Sequence, residues 1–176
     1  QKKHLACKRI FDIVLSLLIL IITSPFFLLL AAAIKLDSPG PVFYRQVRVG
    51  QYGQDFKIFK FRTMVQNADK IGLALTTGKD PRITRVGRFI RKCRLDEFSQ
   101  ILNVLKGDMS LVGPRPEVRK YVEAYEQEAF ATLLIRPGIT APASIYFRNE
   151  DELLEGASDP EAVYIEKILQ YFGHRS

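Results

Sequence analysis

Histidine and cysteine are scarce in this 176-residue chain, with two of each. His4 and His174 sit at opposite ends, which leaves no histidine metal cluster and no basis for a Ser-His-Asp triad. Cys7 and Cys93 form no C-x-x-C pair and read as reduced thiols of a cytoplasmic protein. A Gly-x-x-x-x-Gly-Lys-Ser/Thr loop is missing, and so is a Gly-x-Gly-x-x-Gly turn after a strand. P-loop and dinucleotide folds are therefore unsupported. No internal repeat or low-complexity tract is present.

The length allows one domain with a core and an appendage, not two full domains. Apolar residues make up 47%, too many for a disordered chain. The formal net charge of +7 suits an anionic lipid face, a phosphorylated substrate or nucleic acid. The nucleic-acid reading lacks interleaved exposed aromatics, zinc ligands and a recognition-helix signature, and no nucleic-acid partner is expected. The first residue is Gln, so the native start is expected to lie elsewhere.

Residues Ile13 to Ile34 carry no charge, a run of about 22 and long enough to cross a bilayer. A signal peptide would have a shorter apolar region of about 7–15 residues. A straight span and a re-entrant helix remain. Lys2, Lys3, Lys8 and Arg9 precede the run, and Lys35, Arg45 and Arg48 follow it. Positive flanks prefer the cytoplasmic side, so a straight span strands one cluster on the wrong face. A helix that enters, bends and returns keeps both inside. The bend is expected at Ser24-Pro25. Pro25 cannot donate to the Ile21 carbonyl, and the Ser24 hydroxyl is placed to satisfy it.

Asp37-Ser38-Pro39-Gly40-Pro41 reads as a turn ending that element. Val42–Val47 and Phe56–Phe61 read as a β-hairpin around Gly50-Gln51-Tyr52-Gly53. Alternation puts Lys60 and Arg62 on one face, and Phe59 and Phe61 on the other. Asn67 to Pro81 reads as a surface loop. Thr84 to Lys106 carries apolar residues at helical spacing: Val86, Phe89 and Ile90, then Phe98, Ile101, Leu102 and Leu105. The pattern predicts two helices broken near Arg94-Leu95, with Asp96 as N-cap of the second and Gly107 as its stop. Pro116 suits the first turn of a further helix with a buried stripe of Val118, Tyr121, Val122, Tyr125, Ala129 and Leu133. Arg136-Pro137-Gly138 would end it. A last helix is expected from Asp159-Pro160 through Tyr171. The fold class is thus α+β: a re-entrant membrane helix over 1–36, and a cytoplasmic domain over 37–176 with a hairpin and several amphipathic helices.

Asp96-Glu97 lies among Arg85, Arg88, Arg91, Lys92 and Arg94, with Arg115 downstream. Taken alone, the acidic pair reads as ordinary helix capping, and the cations as a solvated or lipid-facing surface. The combination suits a phosphoanhydride substrate. A carboxylate nucleophile is repelled by phosphates unless cations neutralise them. Carboxylates form acyl-phosphate intermediates. Glu97, about 100° further round a helix, could manage a proton or hold a metal. A hard divalent cation suits this donor set, with Mg2+ the default.

These residues resemble the small monotopic polyprenyl-phosphate phosphoglycosyl transferases, the bacterial sugar transferase family, over roughly residues 5 to 140. The resemblance is carried by Lys8-Arg9-Ile10-Phe11-Asp12, by Thr23-Ser24-Pro25 and by Pro39-Gly40-Pro41-Val42-Phe43. It continues in the segment Phe56 to Met64 and most specifically in Leu95-Asp96-Glu97 and Lys106 to Pro116. Arg136-Pro137-Gly138-Ile139-Thr140 also fits. The resemblance implies a ping-pong transfer of sugar 1-phosphate from a UDP-sugar to polyprenol phosphate, undecaprenyl phosphate in bacteria. Asp96 would be the nucleophile and Glu97 its assistant. Mg2+ would lie near Asp96, and UMP would leave. Arg91 and Arg115 would hold phosphates, and the site cations Lys60, Arg62 and Arg136 are further candidates to bind the anionic substrate. Ser24 and Pro25 would form the kink. The setting would be the cytoplasmic face of the bacterial inner membrane, at the first membrane step of glycoconjugate assembly, for exopolysaccharide or lipopolysaccharide. Partners are then UDP-sugar, polyprenol phosphate and membrane lipid, with homo-oligomerisation left open. The competing class is a catalytically silent membrane-anchored module that binds nucleotide sugars or anionic lipid. After Thr140 this chain runs Ala141-Pro142-Ala143-Ser144, where many relatives carry Gly and an aromatic-containing motif, so the resemblance does not name the sugar. Relatives often continue past the position of Ser176 with further helical sequence.

Overall fold

The computed structural model describes residues 2–68, 80–125, 127–141 and Val163. The expected helix from Asp159 to Tyr171, apart from Val163, lies outside the described residues, as do positions 69–79 of the expected loop and 142–148 of the segment after Thr140.

The chain opens with α1, Lys2–Asp37, a single helix with Pro25 inside it. Helical structure continues through the proline. The Ser24 hydroxyl donates to the Ile21 carbonyl at 2.9 Å, and Thr23 donates to Ile19 at 2.7 Å. These bonds occupy the carbonyls around the site where Pro25 lacks an N–H. One stripe of α1 turns inward, with Asp12, Ser16, Leu30 and Ile34 buried. Many of the other apolar residues along its uncharged stretch are exposed, including Leu17, Leu18, Ile21, Ile22, Leu28 and Leu29. α1 is also the one helix among the described residues long and apolar enough to cross a membrane.

A straight helix of 36 residues would run about 54 Å. Both halves of α1 nevertheless attach to the same small domain. Near the start, Arg9 donates to the carbonyls of Val104 at 2.7 Å and Leu105 at 3.2 Å. Asp12 accepts from the Ser110 hydroxyl at 2.8 Å and from the Leu111 N–H at 3.3 Å. Near the end, Leu30 and Ile34 share a core with Phe61 and Ile90. Phe27 meets Phe61 edge-on, with centroids 5.3 Å apart. Each buried large side chain of this kind contributes roughly 1.5–3 kcal/mol.

β1, Phe43–Val49, pairs antiparallel with β2, Asp55–Phe61, in the register Phe43↔Phe61 to Val49↔Asp55. The hairpin is as expected, one or two residues longer at its turn. A 3-10 turn over Gln51–Gly53 joins the strands, with Tyr52 at φ 57°. α2, Arg85–Lys92, is capped by Thr84, whose hydroxyl accepts from Gly87 N–H at 2.9 Å. Asp37 adds a second acceptor at this end, taking the Val86 N–H at 2.9 Å. Gly87 is required here, because a Cβ would lie 2.0 Å from the Thr63 carbonyl oxygen.

The expected break after α2 is present, but its cap differs. Arg94 adopts a left-handed conformation, φ 52°, and a 3-10 segment starts at Leu95 and runs to Gln100. Asp96 is therefore inside the first turn, not at the N-cap. α3, Ile101–Lys106, follows and stops at Gly107, φ 105°. The change of phase at Arg94 also narrows the apolar stripe. Ile90 and Ile101 are buried, whereas Phe89 and Phe98, expected inside, are exposed. The helix expected after Pro116 divides in two. α4, Arg119–Val122, is one turn long, and Ala129–Leu134 is a 3-10 segment. The stripe survives, with Val122 and Ala129 buried. β3, Ser110–Val112, pairs in parallel with β4, Gly138–Thr140. Strands this short carry no readable period in the sequence.

Candidate functional site

The site forms where β2 crosses the 3-10 segment after Arg94. Asp96 and Glu97 occupy the first turn of that segment. Asp96 is buried and Glu97 is half-buried. Lys60, near the end of β2, reaches both. Its Nζ lies 2.9 Å from Asp96 Oδ2 and 3.6 Å from Glu97 Oε1. Arg115 enters from the turn after β3, and its Nη2 donates to Glu97 Oε1 at 3.3 Å. Burial pushes the Glu97 pKa up, but Arg115 and then Lys60 outweigh it and hold the carboxyl below its ordinary value.

Arg48 adds to this field, and its charge also lowers the Glu97 pKa. It is tied down closely. Its Nη1 donates to the Pro116 carbonyl at 3.1 Å and lies 3.6 Å from Glu117 Oε2. Its Nε and Nη2 donate to Gln46 Oε1 at 3.2 and 2.8 Å. Glu117 is itself buried, and its carbonyl accepts from Val49 N–H at 2.8 Å. β1 is thereby fastened to the turn that carries Arg115.

The structure brings Lys60, Asp96, Glu97 and Arg115 together. The other expected binding residues are placed differently. Arg91 lies on α2, and its Nε donates to Thr63 Oγ1 at 3.0 Å. Arg62 is buried and donates to the carbonyls of Pro39 at 2.5 Å, Ser38 at 2.7 Å and Ile34 at 3.3 Å. It serves the C-terminal end of α1, and burial lowers its pKa. The reason is local: β2 ends at Phe61, so the alternation that would align Arg62 with Lys60 stops one residue short. Arg136 is on the surface in the turn before β4. Ser24 and Pro25 are on α1, far along the chain from the carboxylates. Arg48 and Glu117 were not picked out from the sequence as site residues. The signal available was the alternation along β1, which separates Arg48 from its neighbours.

Among the described residues, no group of three His, Cys, Asp or Glu side chains is gathered as a metal site. Asp96 and Glu97 offer hard carboxylate oxygens that converge on one ammonium. That donor set fits a magnesium ion, which takes one or two carboxylates and completes its shell with phosphate oxygens and water.

Comparison with known proteins matches the family described as "Bacterial sugar transferase" over residues 3–172. A UDP-N-acetylgalactosamine-undecaprenyl-phosphate N-acetylgalactosaminephosphotransferase of Aeromonas hydrophila is 46% identical over 78% of this chain and 33% of its own length. A UDP-glucose:undecaprenyl-phosphate glucose-1-phosphate transferase of Escherichia coli (strain K12) is 46% identical, covering 84% of this chain and 33% of the relative. The exopolysaccharide production protein ExoY of Sinorhizobium fredii is 42% identical, covering 81% and 70%. The chain thus spans about a third of the length of the first two relatives.

Proposed function

The chain belongs to the bacterial sugar transferase family, and on that premise we propose that it moves a sugar 1-phosphate from a UDP-sugar to undecaprenyl phosphate. The observation that carries the proposal is the bridge of Lys60 between Asp96 and Glu97, with Arg115 on the second carboxylate. Two adjacent carboxylates with convergent cations suit covalent phosphoryl chemistry. The activities for which the relatives are named support the substrate class.

In the first half-reaction, an Asp96 oxygen attacks the sugar-bearing phosphorus. The bond from that phosphorus to the UMP oxygen breaks, and UMP leaves with the electron pair. Lys60 and Arg115 shift from carboxylates to phosphate oxygens as the substrate arrives, which lowers the repulsion between the anions. In the second half-reaction, a phosphate oxygen of undecaprenyl phosphate attacks the same phosphorus, and the Asp96 carboxylate is the leaving group. Glu97, ionised at neutral pH, accepts a proton or orients the acceptor. A magnesium ion held by Asp96 and the substrate phosphates would supply further charge neutralisation. Excess chelator should then abolish turnover.

α1 supports a membrane setting. From Ile13 to Ile34 it carries no charge, yet the domain buries only one stripe of it, as suits a helix with lipid on its other faces. Attachment of both its halves to one domain favours the re-entrant arrangement, with the catalytic domain on the cytoplasmic face. That setting lets the site take one soluble substrate and one lipid.

The test is UMP release from a panel of UDP-sugars, with and without undecaprenyl phosphate. Release with one donor, completed by lipid-linked product, is the expected result. Donor binding without UMP release would instead leave a silent binding module.

A further inference from the structure

Among the described residues, β2 has a strand partner on one edge only, β1. In an antiparallel pair, alternate residues turn their N–H and C=O groups away from the partner. On β2 such outward groups belong to Lys57 and Phe59, and side chains meet them where a third strand would otherwise lie. Asn103 accepts from the Phe59 N–H at 2.8 Å and donates to the Lys57 carbonyl at 2.9 Å. Ser99 donates to the Phe59 carbonyl at 3.0 Å. Both side chains are 0% exposed. Asn103 is steadied in turn by Asp108, at 3.2 Å from its Nδ2.

The placement of these residues couples them to the site. Asp96, Ser99 and Asn103 are spaced by three and four, so one face of the 3-10 segment and α3 turns all of them toward β2. Lys60 is the next residue after Phe59. Three hydrogen bonds on the Lys57–Phe59 edge, one from the 3-10 segment that bears the carboxylates and two from α3 directly after it, therefore fix the strand against this stretch of chain. A slip of one residue along this edge would carry the Lys60 side chain to the opposite face of the hairpin.

We propose that Ser99 and Asn103 are positioning residues that hold Lys60 in register with Asp96 and Glu97. They touch no reacting atom and act through Lys60. The inference rests on the reading that Lys60 serves the anionic donor.

The test measures UMP release per folded molecule for full-length Asn103→Ala, Lys60→Met and the double variant, in the same detergent. Ser99→Ala is measured beside them. Val122→Ala serves as a control for stability alone, since Val122 is buried on α4 and is not among the residues assigned to the site. Asn103→Ala should lower kcat by roughly tenfold to a hundredfold, the scale of an ångström-sized misplacement, with KM little changed. Ser99→Ala should go the same way with a smaller loss. The double variant should be no slower than Lys60→Met, because Asn103 acts through the side chain already removed. Val122→Ala should melt earlier but keep its rate per folded molecule. Losses that multiply in the double variant would overturn the proposal, and so would a Val122→Ala loss equal to that of Asn103→Ala. Wild-type rates in Lys60→Met would mark a different failure, that of the function assigned to Lys60.

Discussion

Asp12 offers a direct test of how α1 is fastened. Its side chain is buried near the start of an otherwise apolar helix, where an unpaired carboxylate would be costly. It is satisfied by Ser110 at 2.8 Å, by Leu111 N–H at 3.3 Å and by Lys8 at 3.3 Å. In Asp12→Ala, a buried hydroxyl and a part-buried N–H on β3 lose their acceptor, at about 1–1.5 kcal/mol each. The Lys8 pair adds under ~1 kcal/mol, because that lysine is half exposed. The total is about 2–4 kcal/mol. For a chain of this size that lowers Tm by roughly 4–15 °C. Asp12→Asn keeps one carbonyl acceptor and should lose about half as much. The assay is thermal unfolding of the full chain in detergent, with limited proteolysis of the α1 segment before Asp12 as a second readout. Both variants should melt earlier, and Asp12→Ala should be cut there sooner. An Asp12→Ala protein with wild-type melting and wild-type protection would refute the fastening of this half of α1 to β3.

Gly87→Ala should destabilise the domain by about 1–3 kcal/mol, since the new methyl meets the Thr63 backbone and the strand or α2 must shift; thermal unfolding checks it. The Asp37 carboxyl is held below its ordinary pKa chiefly by the Val86 N–H; burial opposes this and is outweighed, with Thr84, Arg85 and Arg88 adding smaller lowering effects. Its stabilising contribution is therefore full above the ordinary carboxylate pKa and is lost as pH falls through the lowered folded value. Wild type should lose stability below about pH 4 more steeply than Asp37→Asn, and parallel unfolding curves against pH would contradict this. Pro25→Leu should restore the missing backbone donor at mid-helix and shift α1 toward a straight span. Labelling of a cysteine at Lys3 by an impermeant reagent in intact cells should be absent in the parent and appear in that variant.

Much of the fold was legible because it rests on local signals. Alternation and a glycine-bearing turn marked the hairpin. Helical spacing and Gly107 marked α3. The Ser24 hydroxyl could be assigned to the Ile21 carbonyl from the missing N–H of Pro25 alone. What could not be read depends on contacts made after folding. The left-handed Arg94 moves the helix start one residue ahead of Asp96, and nothing in an arginine side chain announces that conformation. Phe89 and Phe98 share the spacing of buried neighbours but face outward once the helix breaks. Arg62 looks like Lys60 in sequence, yet its guanidinium is taken by three carbonyls at the end of α1. Ser99 and Asn103 are polar residues inside an apolar stripe. That is a visible signal, but its meaning depends on the free edge of β2. Lys8 and Arg9 read as topological charges, and they are also contacts to β3 and α3.

The central claim is that Asp96 becomes covalently linked to the phosphosugar. The measurement is capture of radiolabelled phosphosugar on the protein when UDP-sugar is supplied without lipid acceptor. Asp96→Asn loses the Lys60 ion pair but keeps the side chain's size, so its folding can be verified by melting. Wild type should carry the label and release UMP in equal amount, Glu97→Gln should retain some label with slowed turnover, and Asp96→Asn should carry none. Label on Asp96→Asn comparable to wild type would place the nucleophile elsewhere, and unlabelled wild type with full turnover would replace the two-step scheme with direct transfer.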